Sequence, residues 1–165
     1  MTLARYESDR LAMEKSRLDI GSLVKEVVGH LSGAAQKKNI GLFFSADEAL
    51  TVAGDPAKLR HLFLNILDNA LKCTPPEGKI IVHVRRNQGW AKIEIRDTGP
   101  GIAESELPHI FDRFFRGGEG RRQGDFGLGL CLAKSIAEAH RGKIEVTSRV
   151  SQGTSFTVLL PLAEN

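Results

Sequence analysis

Two stretches of the chain space their apolar residues three and four positions apart, the pattern of an amphipathic helix. The first predicted helix opens at Gly21 and runs to about Lys37. The second runs from Asp55 to Cys73, because aspartate is a favoured N-cap and the proline that follows suits the first turn. A third helix is predicted to open with the glycine pair of residues 127–130 and to end near residue 140.

Elsewhere apolar and polar residues alternate, which is typical of half-buried strands. One hairpin is predicted from residues 79–86 and Trp90–Asp97, and a second from Lys143–Arg149 and residues 154–160. Three shorter strands are predicted, at residues 18–20, 40–44 and 50–53. The pattern therefore predicts a mixture of helices and strands.

The size and charge of the chain are those of one globular domain. Its 165 residues are 41% hydrophobic and 26% charged, and no apolar run approaches the ~18 residues of a membrane span. The net charge of +3 is too small to demand a nucleic-acid partner. The two cysteines lack metal or redox spacing, so we expect buried small side chains in a reducing cytoplasm.

Two segments lie outside these predicted helices and strands. Residues 3–16 are charged and helix-prone but thinly apolar, like the end of a helix whose packing partner is missing. Residues 99–126 form a long connection with a short helical pattern near 104–115. Connections of this length are usually functional lids or disordered, and the arginines beside glycines here suggest a cationic flap.

Asp97 falls on the apolar face of its predicted strand, in line with Ile93 and Ile95. An unpaired carboxylate there would cost roughly 2 kcal/mol or more, so Asp97 needs a hydrogen-bond donor. One interpretation is that it caps the Thr98–Gly99 turn. The other is that it accepts a bond from the exocyclic amine of an adenine. The residues alone leave both open.

The second predicted helix carries a polar stripe of His61, Asn65, Asn69 and Lys72 opposite its apolar face. A solvated surface would explain this stripe, but asparagine is a mediocre helix former and two of them suggest a task. Amide oxygens can ligate Mg²⁺, and lysine and amide nitrogens can contact phosphate oxygens. The glycines that open the third helix would likewise suit phosphate, or simply close packing.

Taken in order, these features resemble the ATP-binding catalytic domain of sensor histidine kinases, within the GHKL (Bergerat-fold) ATPases. The likeness runs from about residue 18 to residue 161. The matching segments are the N-box at 65–72, the first glycine box at 97–102, the F-box at 111–116, the second glycine box at 127–130 and a terminal strand at 153–161.

The resemblance implies an α+β fold, a two-layer α/β sandwich in which a mixed, mostly antiparallel sheet of about five strands packs on three helices. Residues 1–16 would be the tail of a dimerisation helix or a linker. Residues 17–165 would be the ATP-binding catalytic domain, with a lid at about 99–126.

The resemblance also implies roles for individual residues. Asn69 would ligate Mg²⁺, and Asp97 would hold the adenine amine of ATP. The residues implied to act on the phosphates are Asn65, Lys72, Arg113 and Arg116. Those implied to shape the nucleotide pocket are Gly99, Gly101, Ile102, Phe114, Gly127, Leu128, Gly129, Leu130 and Thr154.

By this resemblance the chain is the catalytic module of an ATP-dependent protein histidine kinase in a two-component system. None of its five histidines lies in a phosphoacceptor context, so the acceptor would be on a dimerisation domain outside this chain. The other implied partner is the receiver domain of a response regulator. We expect a cytoplasmic domain with no nucleic-acid or direct membrane contact, and leave open whether its parent is an inner-membrane sensor.

Two alternatives remain at this point. The chain would be a regulatory nucleotide-binding module without kinase activity if Asp125, which replaces a glycine common in the second box, spoils the phosphate site. It would otherwise be a GHKL ATPase or serine kinase of another branch, although the F-box and the helical tail speak against that.

Overall fold

The computed structural model of the chain describes residues 13–113, 115 and 129–164. In chain order its elements are β1 (Ser16–Asp19), α1 (Ile20–Lys37), β2 (Gly41–Ala46), β3 (Thr51–Gly54), α2 (Pro56–Cys73), β4 (Lys79–Asn87), β5 (Trp90–Asp97), a 3-10 helix (Leu107–His109), α3 (Gly129–Ala139), β6 (Lys143–Arg149) and β7 (Gly153–Pro161). No helix in these ranges has both the length and the apolar composition that crossing a bilayer requires.

Aspartates begin both long helices. Asp19 caps α1 by accepting a hydrogen bond from the amide of Gly21 at 3.0 Å. Asp55 caps α2 by accepting from the amides of Ala57 at 3.0 Å and Lys58 at 3.3 Å. Each such cap typically contributes ~1 kcal/mol to stability. The sequence predicts the cap at Asp55 and places Asp19 correctly in a strand, but it misses the cap at Asp19 because it begins the helix at Gly21 rather than at Ile20.

The main sheet has five strands in the order β2-β4-β5-β7-β6. β2 and β4 are parallel, and the other neighbours are antiparallel. The alternating apolar residues of β4, β5 and β7 are buried on the face that packs on the helices, where they meet Phe63 and Ile66 of α2. The predicted α+β sandwich of five strands on three helices is therefore confirmed, with β5 at its centre.

A second, two-stranded sheet pairs β1 with β3 in antiparallel register, from Ser16 opposite Gly54 to Asp19 opposite Thr51. The sequence predicts both strands but not that they pair with each other, because four-residue strands carry too little pattern to identify a partner. This small sheet brings the backbone amide of Glu14 within 3.1 Å of Asp55 Oδ2. The chain at Glu14 is thus tied to the start of α2.

His140 joins the end of α3 to the start of α2. Its ring is 3% exposed, although the sequence places it at an ordinary helix terminus. Nε2 accepts a hydrogen bond from the backbone amide of Asp55 at 3.0 Å, so Nδ1 carries the proton and donates to the carbonyl of Ile136 at 2.8 Å. Both bonds together require the neutral ring.

Because the pKa of His140 is lowered in the folded protein, we expect the free energy of unfolding to depend on pH. Burial lowers this pKa below 6.5, against the opposing effect of the Ile136 carbonyl. Because the unfolded chain then takes up the proton first, the contribution of His140 to the free energy of unfolding is present above pH 6.5 and is lost as the pH falls towards the folded pKa. We expect urea denaturation of His140→Gln to show a shallower loss of stability than wild type over this range.

His30→Gln is the matched control for this measurement, because His30 lies on the exposed face of α1. It should keep the slope of the wild-type protein. Part of the slope persists in His140→Gln, since burial also lowers the pKa of His61. Equal slopes for wild type and His140→Gln would contradict the assignment of the neutral, buried ring.

The connection after β5 is less helical than the sequence predicts. Within residues 104–113 only the 3-10 helix Leu107–His109 forms, preceded and followed by turns. Phe111 anchors this stretch by packing edge-on against Phe156 of β7, with the ring centroids 6.3 Å apart. The two cysteines, Cys73 and Cys131, are half-buried rather than buried.

Candidate functional site

Asp97 ends the central strand β5 on the face that packs against the helices, and it is 4% exposed. Its Oδ1 accepts hydrogen bonds from the backbone amides of Gly99 at 2.9 Å and Thr154 at 3.3 Å. Among the described residues, no hydrogen bond reaches Oδ2. One oxygen therefore caps the turn, as one interpretation of the sequence predicts, and the other accepts from none of the described residues.

The environment of Asp97 is electrostatically costly. Burial raises the pKa of Asp97 above its ordinary value of 3.8, although the hydrogen bonds from Gly99 and Thr154 act in the opposite direction. A buried carboxylate with an unpaired oxygen destabilises a fold unless something supplies the missing donor. An N–H group of a ligand, such as the exocyclic amine of adenine, fits that requirement.

The first glycine box, residues 97–102, is held by backbone contacts with the turn between β6 and β7. A Cβ on Gly101, whose φ is +78°, would lie 2.1 Å from the carbonyl oxygen of Arg149. The amide of Ile102 donates to Ser148 Oγ at 2.7 Å. Because only glycine fits at position 101, the path of the box is fixed by this turn.

Gly99 brings the same box against the C-terminal end of α2. A Cβ on Gly99 would lie 3.0 Å from Asp97 Oδ1 and 3.1 Å from the carbonyl oxygen of Cys73. A side chain would therefore push the box away from α2. Because Gly99 has no side chain, the first glycine box lies directly against Cys73, the residue that follows the N-box.

The polar stripe of α2 meets the second glycine box at the start of α3. A Cβ on Gly129 would lie 3.8 Å from Asn65 Oδ1, and Leu130 is buried in the core. Asn65 Nδ2 is buried and has no hydrogen-bond partner in the described part of the chain. An unsatisfied buried donor beside a helix N-terminus suits an anionic group.

Asn69 and Lys72 lie further along the same helix. Asn69 is half-buried, and Lys72 is exposed and forms an ion pair with Asp68 at 3.0 Å. No cluster of three or more histidine, cysteine or acidic side chains suitable for a metal occurs in the described residues. The amide oxygen of Asn69 is of the ligand type that Mg²⁺ takes, and this ion commonly keeps several waters.

The lid is described only in part. Arg113 lies on the surface at the end of the turn that follows the 3-10 helix. Phe114, Arg116, Gly127 and Leu128 lie outside the described residues, as does Asp125. The predicted roles of these residues stay predictions.

Ser148 is a site residue that sequence reasoning misses. Its Oγ accepts from the amide of Ile102, donates to the carbonyl of Gly153 at 2.9 Å and lies 2.8 Å from Thr154 Oγ1. The signal was available, because Ser148 shares the half-buried face of β6 with Ile144 and Val146. The argument that selects Asp97 on an apolar strand face selects Ser148 as well.

Comparison with known proteins gives a direct match. The family model described as "Histidine kinase-, DNA gyrase B-, and HSP90-like ATPase" matches residues 54–164. The chain belongs to this ATPase family. It is 37% identical over 161 residues to the sensor histidine kinase CusS of Escherichia coli O157:H7, covering 96% of this chain and 33% of CusS. It is 32% identical over 162 residues to the signal transduction histidine-protein kinase BaeS of Escherichia coli K12, covering 97% and 35%.

The chain thus spans about a third of the length of these relatives. Among solved structures of the ATPase family, the catalytic domain of histidine kinase ThkA has a TM-score of 0.81 at 27% identity, covering 90% of this chain and 96% of that chain. Full-length ShkA in complex with AMPPNP has a TM-score of 0.81 at 28% identity, covering 93% and 32%. The resemblance to a histidine kinase catalytic domain, predicted from the ordered motifs, is confirmed.

Proposed function

We propose that the chain binds ATP with Mg²⁺ and transfers the γ-phosphate to a histidine on a dimerisation domain outside this chain. The observation that carries the proposal is Asp97, with one oxygen held by Gly99 and Thr154 and the other left for a donor. The neighbouring glycine contacts support it, because they bring backbone close to where a base would lie. The AMPPNP bound by ShkA, a nucleotide analogue, is a further support.

The residues present fit a Mg²⁺-bound nucleotide. Asp97 would select adenine, and the amide oxygen of Asn69 would hold the ion, which neutralises phosphate charge when bound. Asn65 and Lys72 would orient the phosphates, Asn65 through its unpaired buried amide. Arg113 and Arg116 would add positive charge from the lid. Phosphoryl transfer depends mainly on such positioning and charge neutralisation.

The phosphoacceptor is proposed to lie on another domain, because the histidines of this chain are committed elsewhere or lack a suitable setting. His140 is buried between two helices, whereas His83 lies 2.7 Å from Asp47 and His109 lies 3.0 Å from Asp112. We propose the dimerisation domain of the same kinase as the phosphate acceptor and a response-regulator receiver domain as the next one. Residues 1–16 are proposed to be the tail of that dimerisation domain.

Asn69→Ala tests the proposed metal ligand. We expect it to weaken ATP binding about 10- to 100-fold when Mg²⁺ is present and to change it little when the metal is chelated. A side chain that acts by binding the metal can affect ATP affinity only while the metal is there. Isothermal titration calorimetry in both conditions measures this. Asn87→Ala, at the exposed end of β4, is the matched control and should bind as wild type. A loss of equal size with and without Mg²⁺ would remove Asn69 from the metal site.

Radiolabel transfer in trans tests the proposed reaction. The chain is mixed with labelled Mg-ATP and a separately prepared dimerisation domain carrying its phosphoacceptor histidine. We expect acid-labile label on that domain, as a phosphohistidine gives, and none when its histidine is replaced. Nucleotide binding without any transfer would favour a regulatory module, and label stable to acid would favour a serine kinase.

A further inference from the structure

A concave pocket lies on the outer face of the main sheet, away from the helices. Its volume is about 260 Å³, and its side chains come from three neighbouring strands and one turn. The polar residues that line it are Arg96 on β5, Thr154 and Ser155 on β7, Thr147, Ser148 and Arg149 on β6, and Gln152 in the β6–β7 turn. Arg96, Ser155 and Thr147 lie in one row across the strands. Asp97 points to the opposite face, and the pocket adjoins the candidate nucleotide site through Ser148, Gly153 and Thr154.

Ser148 and Thr154 bond to each other, but the other polar side chains of this pocket have no hydrogen-bond partner within the described part of the chain. Neither guanidinium group there forms a hydrogen bond or an ion pair with another described residue. The hydroxyls of Thr147 and Ser155 and the side-chain amide of Gln152 likewise lack a described partner. Five side chains with potential donor groups therefore line one cavity, and no acidic side chain is among its described lining residues.

The nearest acidic side chains on this face are already paired with other cations. Glu94 lies 3.0 Å from Lys92 and 3.8 Å from Arg85, and Glu145 lies 3.4 Å from Lys143. Burial alone would raise the pKa of Glu94, but the hydrogen bond and charge of Lys92, with smaller contributions from Arg85 and Arg96, lower it. Arg96 thus attracts Glu94 only at longer range. The side chains that line the pocket therefore keep the positive charge of Arg96 and Arg149.

The pocket is also rigid on its turn side. A Cβ on Gly153 would lie 2.1 Å from the carbonyl oxygen of Asp97, and the φ of Gly153 is +93°. The hydroxyl of Ser148 bonds to the carbonyl of Gly153 at 2.9 Å and ties the turn to β6. Because these contacts hold the backbone beneath the pocket, binding of a ligand would restrict mainly the side chains of the two arginines and Gln152, and the loss of conformational entropy would be small.

We propose that this pocket binds an oxyanion, either a phosphate or a carboxylate group. Guanidinium forks match both groups with paired, charge-assisted hydrogen bonds, and the hydroxyl and amide donors complete the set. The volume of about 260 Å³ is ample for one such group. This site is independent of the proposed ATP chemistry and would exist even if that proposal failed.

Two-dimensional amide NMR of the whole chain at low ionic strength tests the proposal. Sodium phosphate is titrated into wild type, and the amides of Gly153 and Ser155 report on the pocket while that of Asn65 reports on the nucleotide site. We expect saturable shifts at the pocket amides, and at least a tenfold weaker response in the double variant Arg96→Gln, Arg149→Gln. Lys143→Gln, on the same face but outside the pocket, removes one charge as a control and should respond as wild type.

A parallel titration with sodium acetate distinguishes the two sources of oxyanion. Saturation by phosphate alone assigns the pocket to a phosphate group, and saturation by acetate as well assigns it to carboxylates. The absence of saturable shifts with both ions would overturn the proposal. Equal responses of wild type and the double variant would overturn it too, because the shifts would then come from elsewhere.

Discussion

Replacing Asp97 with asparagine is expected to weaken ATP binding about a hundredfold while the fold stays intact. The asparagine carbonyl can keep the hydrogen bonds from Gly99 and Thr154 that Oδ1 now accepts. The side-chain nitrogen of the asparagine would then occupy the position of Oδ2. Two hydrogen-bond donors, this nitrogen and the adenine amine, would face each other and could not form a bond. Isothermal titration with Mg-ATP measures the loss, and Asp47→Asn is the matched control, because Asp47 is an exposed aspartate that follows β2 and pairs with His83 of β4.

Thermal melting separates this loss of binding from unfolding. Because burial raises the folded pKa of Asp97, its ionised form costs the folded state stability once the pH rises from 3.8 through the folded value. Asp97→Asn removes that cost, so at neutral pH we expect a melting temperature equal to or above that of wild type. Unchanged ATP affinity in a folded Asp97→Asn protein would refute the assignment of Asp97 as the adenine acceptor.

Replacing Gly101 with alanine is expected to lower the free energy of unfolding by about 3 kcal/mol. The methyl group would enter at 2.1 Å from the carbonyl oxygen of Arg149, a backbone atom that cannot rotate aside, and the φ of +78° disfavours any residue with a Cβ. The first glycine box and the β6–β7 turn would have to separate. Nucleotide affinity should fall as well, since Thr154, which follows the turn at the start of β7, holds Asp97.

Urea denaturation measures the predicted loss at Gly101, and Gly89→Ala is its matched control. Gly89 lies in the hairpin turn between β4 and β5, where a Cβ would meet nothing within 4 Å. That variant should stay within ~0.5 kcal/mol of wild type. A Gly101→Ala protein as stable as Gly89→Ala would mean that the box is not clamped against the turn.

Local features of this fold are the ones that sequence reasoning predicts well. The start of α2 follows from the cap at Asp55 and the proline after it, and the strand β5 follows from alternation up to Asp97. The pairing of β1 with β3 and the burial of His140 are not local. His140 meets Asp55 from 85 residues away, and nothing in the polar sequence around it signals that contact. The predicted helix near 104–115 is reduced to the 3-10 helix Leu107–His109, because Pro108 in its middle has no backbone N–H and disfavours an α-helix there.

The candidate site, too, has a part that the sequence predicts and a part that it does not. Its residue types and their order are visible in the sequence, and they suffice for the resemblance that the family match confirms. Its geometry depends on contacts between distant segments. The approach of Asn65 to Gly129 and the bond from Thr154 to Asp97 exist only once α2, α3 and the sheet have packed together.

The bond between Thr154 and Asp97, 57 residues apart, bears on where this domain can be cut. A piece of the chain that stops at Val150 would keep the N-box and both glycine boxes. It would lack β7, which separates β5 from β6 in the sheet, and the Gly153 turn that lies against the backbone of Asp97. The smallest nucleotide-binding piece is therefore expected to extend through a C-terminal strand that carries none of the three boxes.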